Sequence, residues 1–83
     1  MAEQDSAAAG LEISVVVTLF NEASSLEELH RRTLAALEEM RRPFELLYVD
    51  DGSSDGTFAL VTSLRGGDPR VRAVRLKIGR AHV

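Results

Sequence analysis

The sequence has 83 residues, 45% of them apolar and none a cysteine, so it can form at most one small domain held together by its apolar core, without disulfides or thiolate zinc sites. Ten Lys and Arg against thirteen Asp and Glu give a net charge of -3, which argues against proteins that coat nucleic acid or anionic membranes through clustered positive charge. The longest apolar run, near residues 15–20, is far shorter than the roughly 18 residues of a membrane span. The start of the chain also lacks the basic and apolar parts of a signal peptide, so we expect a cytoplasmic chain.

The first part of the chain predicts a tail, a strand and a helix. Residues 1–12 are small, polar or acidic with no apolar period, and we expect them to form a disordered tail. Residues 13–18 are almost all β-branched, which predicts a strand covered on both faces, as in a parallel sheet. Ser24 and Ser25 each stand three residues before a glutamate, a pattern that predicts a capped helix start. His30 has charged neighbours on this helix, and we expect it to face solvent.

The second part of the chain repeats the alternation of strand and helix. Pro43 ends the first helix, and residues 44–49 predict a second short, apolar strand. Residues 50–56 are polar and glycine-rich, as in a loop, and residues 57–64 predict a second helix. Residues 71–76 predict a third strand, whose interleaved arginines suit a sheet edge. The order βαβαβ indicates an α/β fold with a parallel sheet, in which we expect strand one innermost and strand three outermost.

Polar residues follow the first two predicted strands. In an open parallel sheet, ligands bind beyond the carboxyl ends of the strands, so residues 18–22 and 50–53 should border one crevice. Adjacent carboxylates at Asp50 and Asp51 disfavour each other's ionisation unless a magnesium ion or the N–H and hydroxyl groups of a nucleoside compensate. The alternative is ordinary turn chemistry, in which the pair forms an Asx turn and Asp55 caps the second helix.

Other residues near the crevice also admit two interpretations. Phe20 either belongs to the core or offers a ring on which a base stacks. Asn21 and Glu22 either contact a ligand or form a polar loop that leads into the helix. Tyr48 lies within the second strand and is expected in the core. The glycine-rich signatures of dinucleotide-binding Rossmann domains and P-loop NTPases do not occur in the sequence.

Two segments together carry a family resemblance. Residues 13–22, ISVVVTLFNE, and residues 44–57, FELLYVDDGSSDGT, resemble the N-terminal half of family 2 glycosyltransferases. The resemblance spans residues 13–76 and implies the three-layer, Rossmann-like nucleotide-diphospho-sugar transferase fold known as GT-A, with only its N-terminal βαβαβ half present. Residues 68–76, DPRVRAVRL, further resemble the branch that transfers sugars to or from polyprenyl phosphates, which includes dolichol-phosphate mannose synthase.

The resemblance also implies which residues contact the nucleotide. They lie in the two strand-end loops: Thr18, Phe20, Glu22, Asp50, Asp51 and Ser53. Asp51 matches the acidic residue that bonds the base, and Phe20 stands where tyrosine is more usual, which keeps stacking but removes the phenol. In the family, the metal-binding Asp-x-Asp motif and the catalytic base follow later strands. We therefore expect no catalytic and no metal-binding residue in this chain, and a full-length enzyme that uses Mg or Mn.

The implied function is that of a glycosyltransferase in cell-wall, polysaccharide or glycolipid synthesis. It would transfer a sugar from a UDP- or GDP-sugar to an acceptor such as a polyprenyl or dolichyl phosphate, at the cytoplasmic face of the membrane. This chain alone is expected to be inactive. The alternative is a non-enzymatic βαβαβ module that binds a nucleotide or magnesium for regulation, although receiver domains place their acidic pair after the first strand.

The last seven residues depart from the family pattern. Relatives would continue after Leu76 with a segment similar to SRNFG, whereas this chain reads KIGRAHV. Residues 78–83 match the in-frame translation of a common sequencing adapter. We therefore expect residues 77–83 to be a non-native tail and assign no ligand role to His82.

Overall fold

A computed structural model describes residues 10–76. The tail expected at residues 77–83, and residues 1–9 of the tail expected at residues 1–12, therefore lie outside the described residues. Five elements alternate in the predicted order: β1 Ile13–Leu19, α1 Leu26–Glu39, β2 Phe44–Asp50, α2 Thr57–Gly67 and β3 Val71–Arg75. The βαβαβ prediction is confirmed. Neither helix in this range is long and apolar enough to cross a membrane.

The strands form a parallel sheet in the order β1-β2-β3. Leu46 of β2 pairs with Val15 on one side and with Val71 on the other. Strand β3 lies at an edge, as its arginines predict. Within the described residues, however, β1 forms the opposite edge, and the prediction that strand one is innermost is wrong for this sheet. The reason is that each helical crossover adds the next strand on the same side of the preceding one, so the first strand stays at the edge.

One face of the sheet carries the core, and both helices pack on it. The core cluster joins the strands to both helices and contains Leu19, Leu26, Leu46, Tyr48, Val61 and Val71. Along β2 every second residue is buried, as expected where a single face is covered. Val16 on the other face is 61% exposed and Val74 is 44% exposed. The prediction that strand one is covered on both faces is therefore wrong for residues 10–76.

The buried face of helix α1 includes a histidine between two leucines. Its buried residues are Leu26, His30 and Leu37, which follow the spacing of one helical face. Leu29 is exposed instead, and the prediction that His30 faces solvent is wrong. The helix begins after Ser25, whose side chain makes no capping bond, so the predicted capping box does not form.

Candidate functional site

Two loops meet where β1 and β2 end. We call residues 20–25 the first loop and residues 51–56 the second loop. Leu19 and Asp50, the last residues of the two strands, are paired in the sheet, and the backbone N–H of Asp51 donates to the Leu19 carbonyl over 2.8 Å. The predicted crevice residues therefore do lie side by side at one edge, because parallel strands bring their carboxyl ends together.

Asn21 joins the two loops through one hydrogen bond that it donates and one that it accepts. Its backbone N–H donates to the Ser53 hydroxyl over 2.8 Å, and its side-chain oxygen accepts from the backbone N–H of Ser54 over 3.0 Å. Asn21 has a φ of 52°, in the left-handed region that asparagine tolerates better than most residues. This backbone conformation lets Asn21 form one hydrogen bond through its backbone N–H and one through its side chain.

The start of helix α2 holds the first loop as well. The backbone N–H of Glu22 donates to the Thr57 hydroxyl over 2.9 Å, and that of Ala23 donates to the Asp55 carboxylate over 3.2 Å. Asp55 also accepts from the backbone N–H of Thr57 over 3.0 Å, whereas the N-cap residue of α2 is Gly56 and not Asp55. The hydrogen bond from the Thr57 side chain, followed by those from backbone N–H groups, lowers the pKa of Asp55.

The Asp50 side chain is buried and accepts hydrogen bonds from the second loop. Its side chain is 1% exposed and accepts hydrogen bonds from the backbone N–H of Ser53, over 3.2 Å, and from the Ser53 hydroxyl. Since alternate residues of β2 point to the helix-covered face, the Asp50 carboxylate points away from the uncovered face. The bond from the Ser53 N–H spans three residues and not the two of an Asx turn, but it orders the loop itself, as in the structural alternative to ligand binding.

Arg75 is the residue of this region that the sequence did not reveal. It pairs with Asp50 in the sheet, and its Nε atom lies 3.5 Å from Asp50 Oδ2. Its Nη2 atom donates to the Ser53 carbonyl over 3.0 Å, and its guanidinium lies 5.2 Å from the centre of the Phe58 ring. The arginines of β3 suggested only an edge strand, and nothing in the sequence separated Arg75 from Arg72.

Comparison with known proteins identifies the family. A family model described as "Glycosyl transferase family 2" matches residues 14–83. The chain belongs to glycosyl transferase family 2. The resemblance found in the sequence is thereby confirmed, and the parallel βαβαβ sheet is that of the N-terminal half of a GT-A fold.

Curated relatives are similar to this family member over part of its length. An undecaprenyl-phosphate 4-deoxy-4-formamido-L-arabinose transferase from Sodalis glossinidius is 49% identical over 51 residues, which cover 61% of this chain and 16% of the relative. The protein of the same name from Pectobacterium carotovorum subsp. carotovorum is 40% identical over 68 residues, which cover 82% of this chain and 20% of the relative. The chain thus spans a fifth or less of the length of these relatives. Their names agree with the predicted polyprenyl-phosphate branch.

The remaining residues that the family resemblance singled out lie around the two loops. Thr18 is exposed and pairs with Val49, so it lies on the uncovered face of the sheet. Phe20 is 38% exposed, while Glu22 and Asp51 are half-buried. The structure thus brings the positions that the resemblance predicts as nucleotide contacts to one edge of the sheet, with Thr18 and Asp50 on opposite faces.

The described residues do not fit a divalent metal. Residues 10–76 contain no group of three or more His, Asp or Glu side chains placed to hold an ion. The buried Asp50 carboxylate is already occupied by hydrogen bonds from Ser53 and by the Arg75 guanidinium.

Proposed function

We propose that this chain is the nucleotide-binding part of a larger glycosyltransferase, which transfers a sugar from a UDP- or GDP-sugar to a polyprenyl or dolichyl phosphate. Such an enzyme would serve cell-wall, polysaccharide or glycolipid synthesis at the cytoplasmic face of a membrane. The observation that carries the proposal is the joining of the two strand-end loops by hydrogen bonds through Asn21, which gathers the family's nucleotide positions at one edge. The names of the curated relatives support the acceptor class.

The exposed ring and the carboxylate at this edge suit a nucleoside. Phe20 exposes 38% of its surface beside the end of β1, enough for a base to stack on the ring. Base stacking on an aromatic side chain contributes about 1–3 kcal/mol per base and tolerates different bases. In the proposed complex, Asp51 accepts a hydrogen bond from a ring N–H of the base, while Thr18 and Glu22 contact the nucleotide beside it.

Turnover requires groups from the rest of the enzyme. In the proposed reaction an oxygen of the lipid phosphate forms a bond to the anomeric carbon, and the bond from that carbon to the nucleotide diphosphate breaks. The diphosphate leaves with the electron pair, and a divalent metal such as Mg or Mn would neutralise its charge. Since residues 10–76 provide no fitting metal site, the proposed role of this chain is to bind the donor, and it should not catalyse transfer alone.

A titration of the larger enzyme with UDP, GDP and their sugars tests the proposal. Replacement Asp51→Ala should raise the Kd for the preferred nucleotide about tenfold, the loss expected for a hydrogen bond to a charged group. Glu39→Ala is the matched control, because Glu39 is an exposed acidic residue at the far end of α1. Equal nucleotide affinity in the Asp51 and Glu39 variants would contradict the assigned role of Asp51.

A further inference from the structure

We propose that Arg75 is a positioning residue that sets the conformation of the second loop for nucleotide binding; this inference rests on the proposed function. Arg75 ends β3 directly beside Asp50, the last residue of β2. Its Nε atom faces the Asp50 carboxylate at 3.5 Å, and its Nη2 atom donates to the Ser53 carbonyl over 3.0 Å. One guanidinium thus contacts the residues on both sides of the Asp51-Gly52 pair.

The burial of Asp50 explains why a cation is needed there. A carboxylate that is 1% exposed has lost most of its hydration, and this loss is costly unless hydrogen bonds and an opposite charge replace the water. Ser53 supplies the hydrogen bonds, and Arg75 supplies the charge. The Phe58 ring lies 5.2 Å from the Arg75 guanidinium and limits its movement on the side of α2.

The geometry of arginine suits this double contact. Its guanidinium is planar and has several N–H donors in a fixed fork, so Nε and Nη2 can reach two acceptors at once. A lysine at the same position would keep the charge near Asp50 but could not reproduce the fixed pair of contacts with Asp50 and Ser53. Arg75→Lys should therefore preserve only part of the effect.

Arg75 also acts on the first loop through Ser53. The Ser53 hydroxyl donates to Asp50 and accepts from the backbone N–H of Asn21 over 2.8 Å. The contacts therefore run from β3 through the second loop to the first loop. Asp51 stands between Asp50 and Ser53, where Gly52 has a φ of 81°, so fixing the residues on both sides of this turn fixes the direction of the Asp51 carboxylate.

Amide hydrogen exchange of the 83-residue chain, followed by NMR, tests this role without any nucleotide. In Arg75→Met the amides of Asn21, Ser53 and Ser54 should exchange at least about tenfold faster, whereas the amide of Leu46 in the sheet centre keeps its rate. Arg75→Lys should give intermediate rates. The matched control is Arg72→Met. Arg72 lies on the same strand as Arg75, and its described ion pair is with Glu45 at 3.5 Å and not with a loop residue. This variant should leave the loop amides unchanged.

A nucleotide titration of the larger enzyme, carrying the same substitutions, completes the test. Arg75→Met should raise the nucleotide Kd about fivefold or more, Arg75→Lys less, and Arg72→Met not at all. Unchanged loop exchange in Arg75→Met, or faster exchange spread evenly over the sheet, would overturn the positioning role. If Arg75→Met does not fold, loop rates in Arg75→Lys equal to those of the unsubstituted chain would overturn it. Absence of nucleotide binding by the unsubstituted larger enzyme would contradict the proposed function, and the exchange rates would still decide whether Arg75 orders the loop.

Discussion

The Nδ1 atom of His30 lies 2.8 Å from the hydroxyl oxygen of Tyr48, in the layer between helix α1 and the sheet. Tyr48 is 0% exposed and His30 is 9% exposed. Burial raises the pKa of Tyr48 to about 12, so its hydroxyl keeps its proton at neutral pH. Burial also lowers the pKa of His30, which favours the neutral ring. In the tautomer that carries the ring proton on Nε2, the tyrosine hydroxyl donates and the imidazole Nδ1 accepts.

Replacement Tyr48→Phe should lower the free energy of unfolding by about 1–3 kcal/mol. The phenylalanine keeps the ring in the core, but His30 Nδ1 stays buried and loses the Tyr48 hydroxyl as its hydrogen-bond partner. Urea unfolding followed by circular dichroism measures the change. The double variant His30→Leu with Tyr48→Phe is the control, since removal of both polar groups should restore part of the loss. If the loss of unfolding free energy in the double variant equals the sum of the losses in the two single variants, this result would contradict the hydrogen bond.

The stability of the chain should fall as the pH drops below about 6.5. Because the folded state lowers the pKa of His30, the unfolded chain takes up a proton at higher pH than the folded chain. The free energy of unfolding therefore decreases from the ordinary pKa of 6.5 down to the lowered folded pKa, by at most about 1.4 kcal/mol per pH unit. The nearby Asp68 carboxylate reduces this effect, since it raises the pKa of His30.

Urea midpoints between pH 7.5 and pH 5 measure this dependence. His30→Leu should flatten it, because the titrating group is removed. If the urea midpoint changes with pH equally in the two proteins, another group is responsible for the dependence. Three carboxylates have lowered pKa values: Glu28 titrates below its ordinary value of 4.5, and Asp55 and Asp68 titrate below 3.8, so all three lie outside this window.

The order of elements could be predicted because it depends on local patterns. Continuous β-branched and apolar runs, the proline after the first helix and the glycine-rich loop each mark a boundary that short-range chemistry decides. The meeting of the two loops also followed, since parallel strands must bring their carboxyl ends to one edge. The family motif at residues 44–57 added the expected nucleotide positions, with Asp51 foremost.

The contacts that depend on side-chain direction could not be predicted. A helical stripe shifted by one residue decides whether His30 or Leu29 is buried, and charged neighbours concealed that His30 lies in line with Leu26 and Leu37. Arg75 gains its role only from the register that sets it beside Asp50, and no pattern within β3 reveals that register. Which face of the sheet is covered depends on the side on which both helices pack, and the strand sequences do not determine that side.

Replacement Thr57→Val should destabilise the chain by about 1–2 kcal/mol. Thr57 is 0% exposed, and its hydroxyl accepts a hydrogen bond of 2.9 Å from the backbone N–H of Glu22. Valine has nearly the same shape but leaves that N–H without its acceptor, at the point where the first loop joins α2. Thermal unfolding measures the loss. Thr62→Val is the control on the same helix, since the exposed Thr62 hydroxyl donates only to the Phe58 carbonyl of the preceding turn, and a loss of the same size there would contradict the special role of Thr57.

Replacement Gly56→Ala should destabilise the chain through its backbone. Gly56 has a φ of 94°, and a Cβ atom added there meets nothing within 4 Å, so the cost of about 1–2 kcal/mol is conformational and not steric contact with neighbours. Gly66→Ala is the matched control, because Gly66 lies within α2, has no positive φ and is equally open. Alanine should stabilise that position by up to about 1 kcal/mol. Urea unfolding of both variants checks the prediction, and equal effects would contradict it.

The uncovered face of the sheet should make the 83-residue chain associate with itself. Val16 is 61% exposed and Val74 is 44% exposed on this face, beside the half-buried Leu47 and Val49, so a continuous apolar surface borders water. Val16→Thr keeps the β-branched shape that suits a strand and should reduce association with little loss of folding stability. Sedimentation velocity over a concentration series measures association. Val15→Thr is the control on the covered face, where the same change should lower stability without reducing association. If Val16→Thr associates as strongly as the unsubstituted chain, the contact surface lies elsewhere.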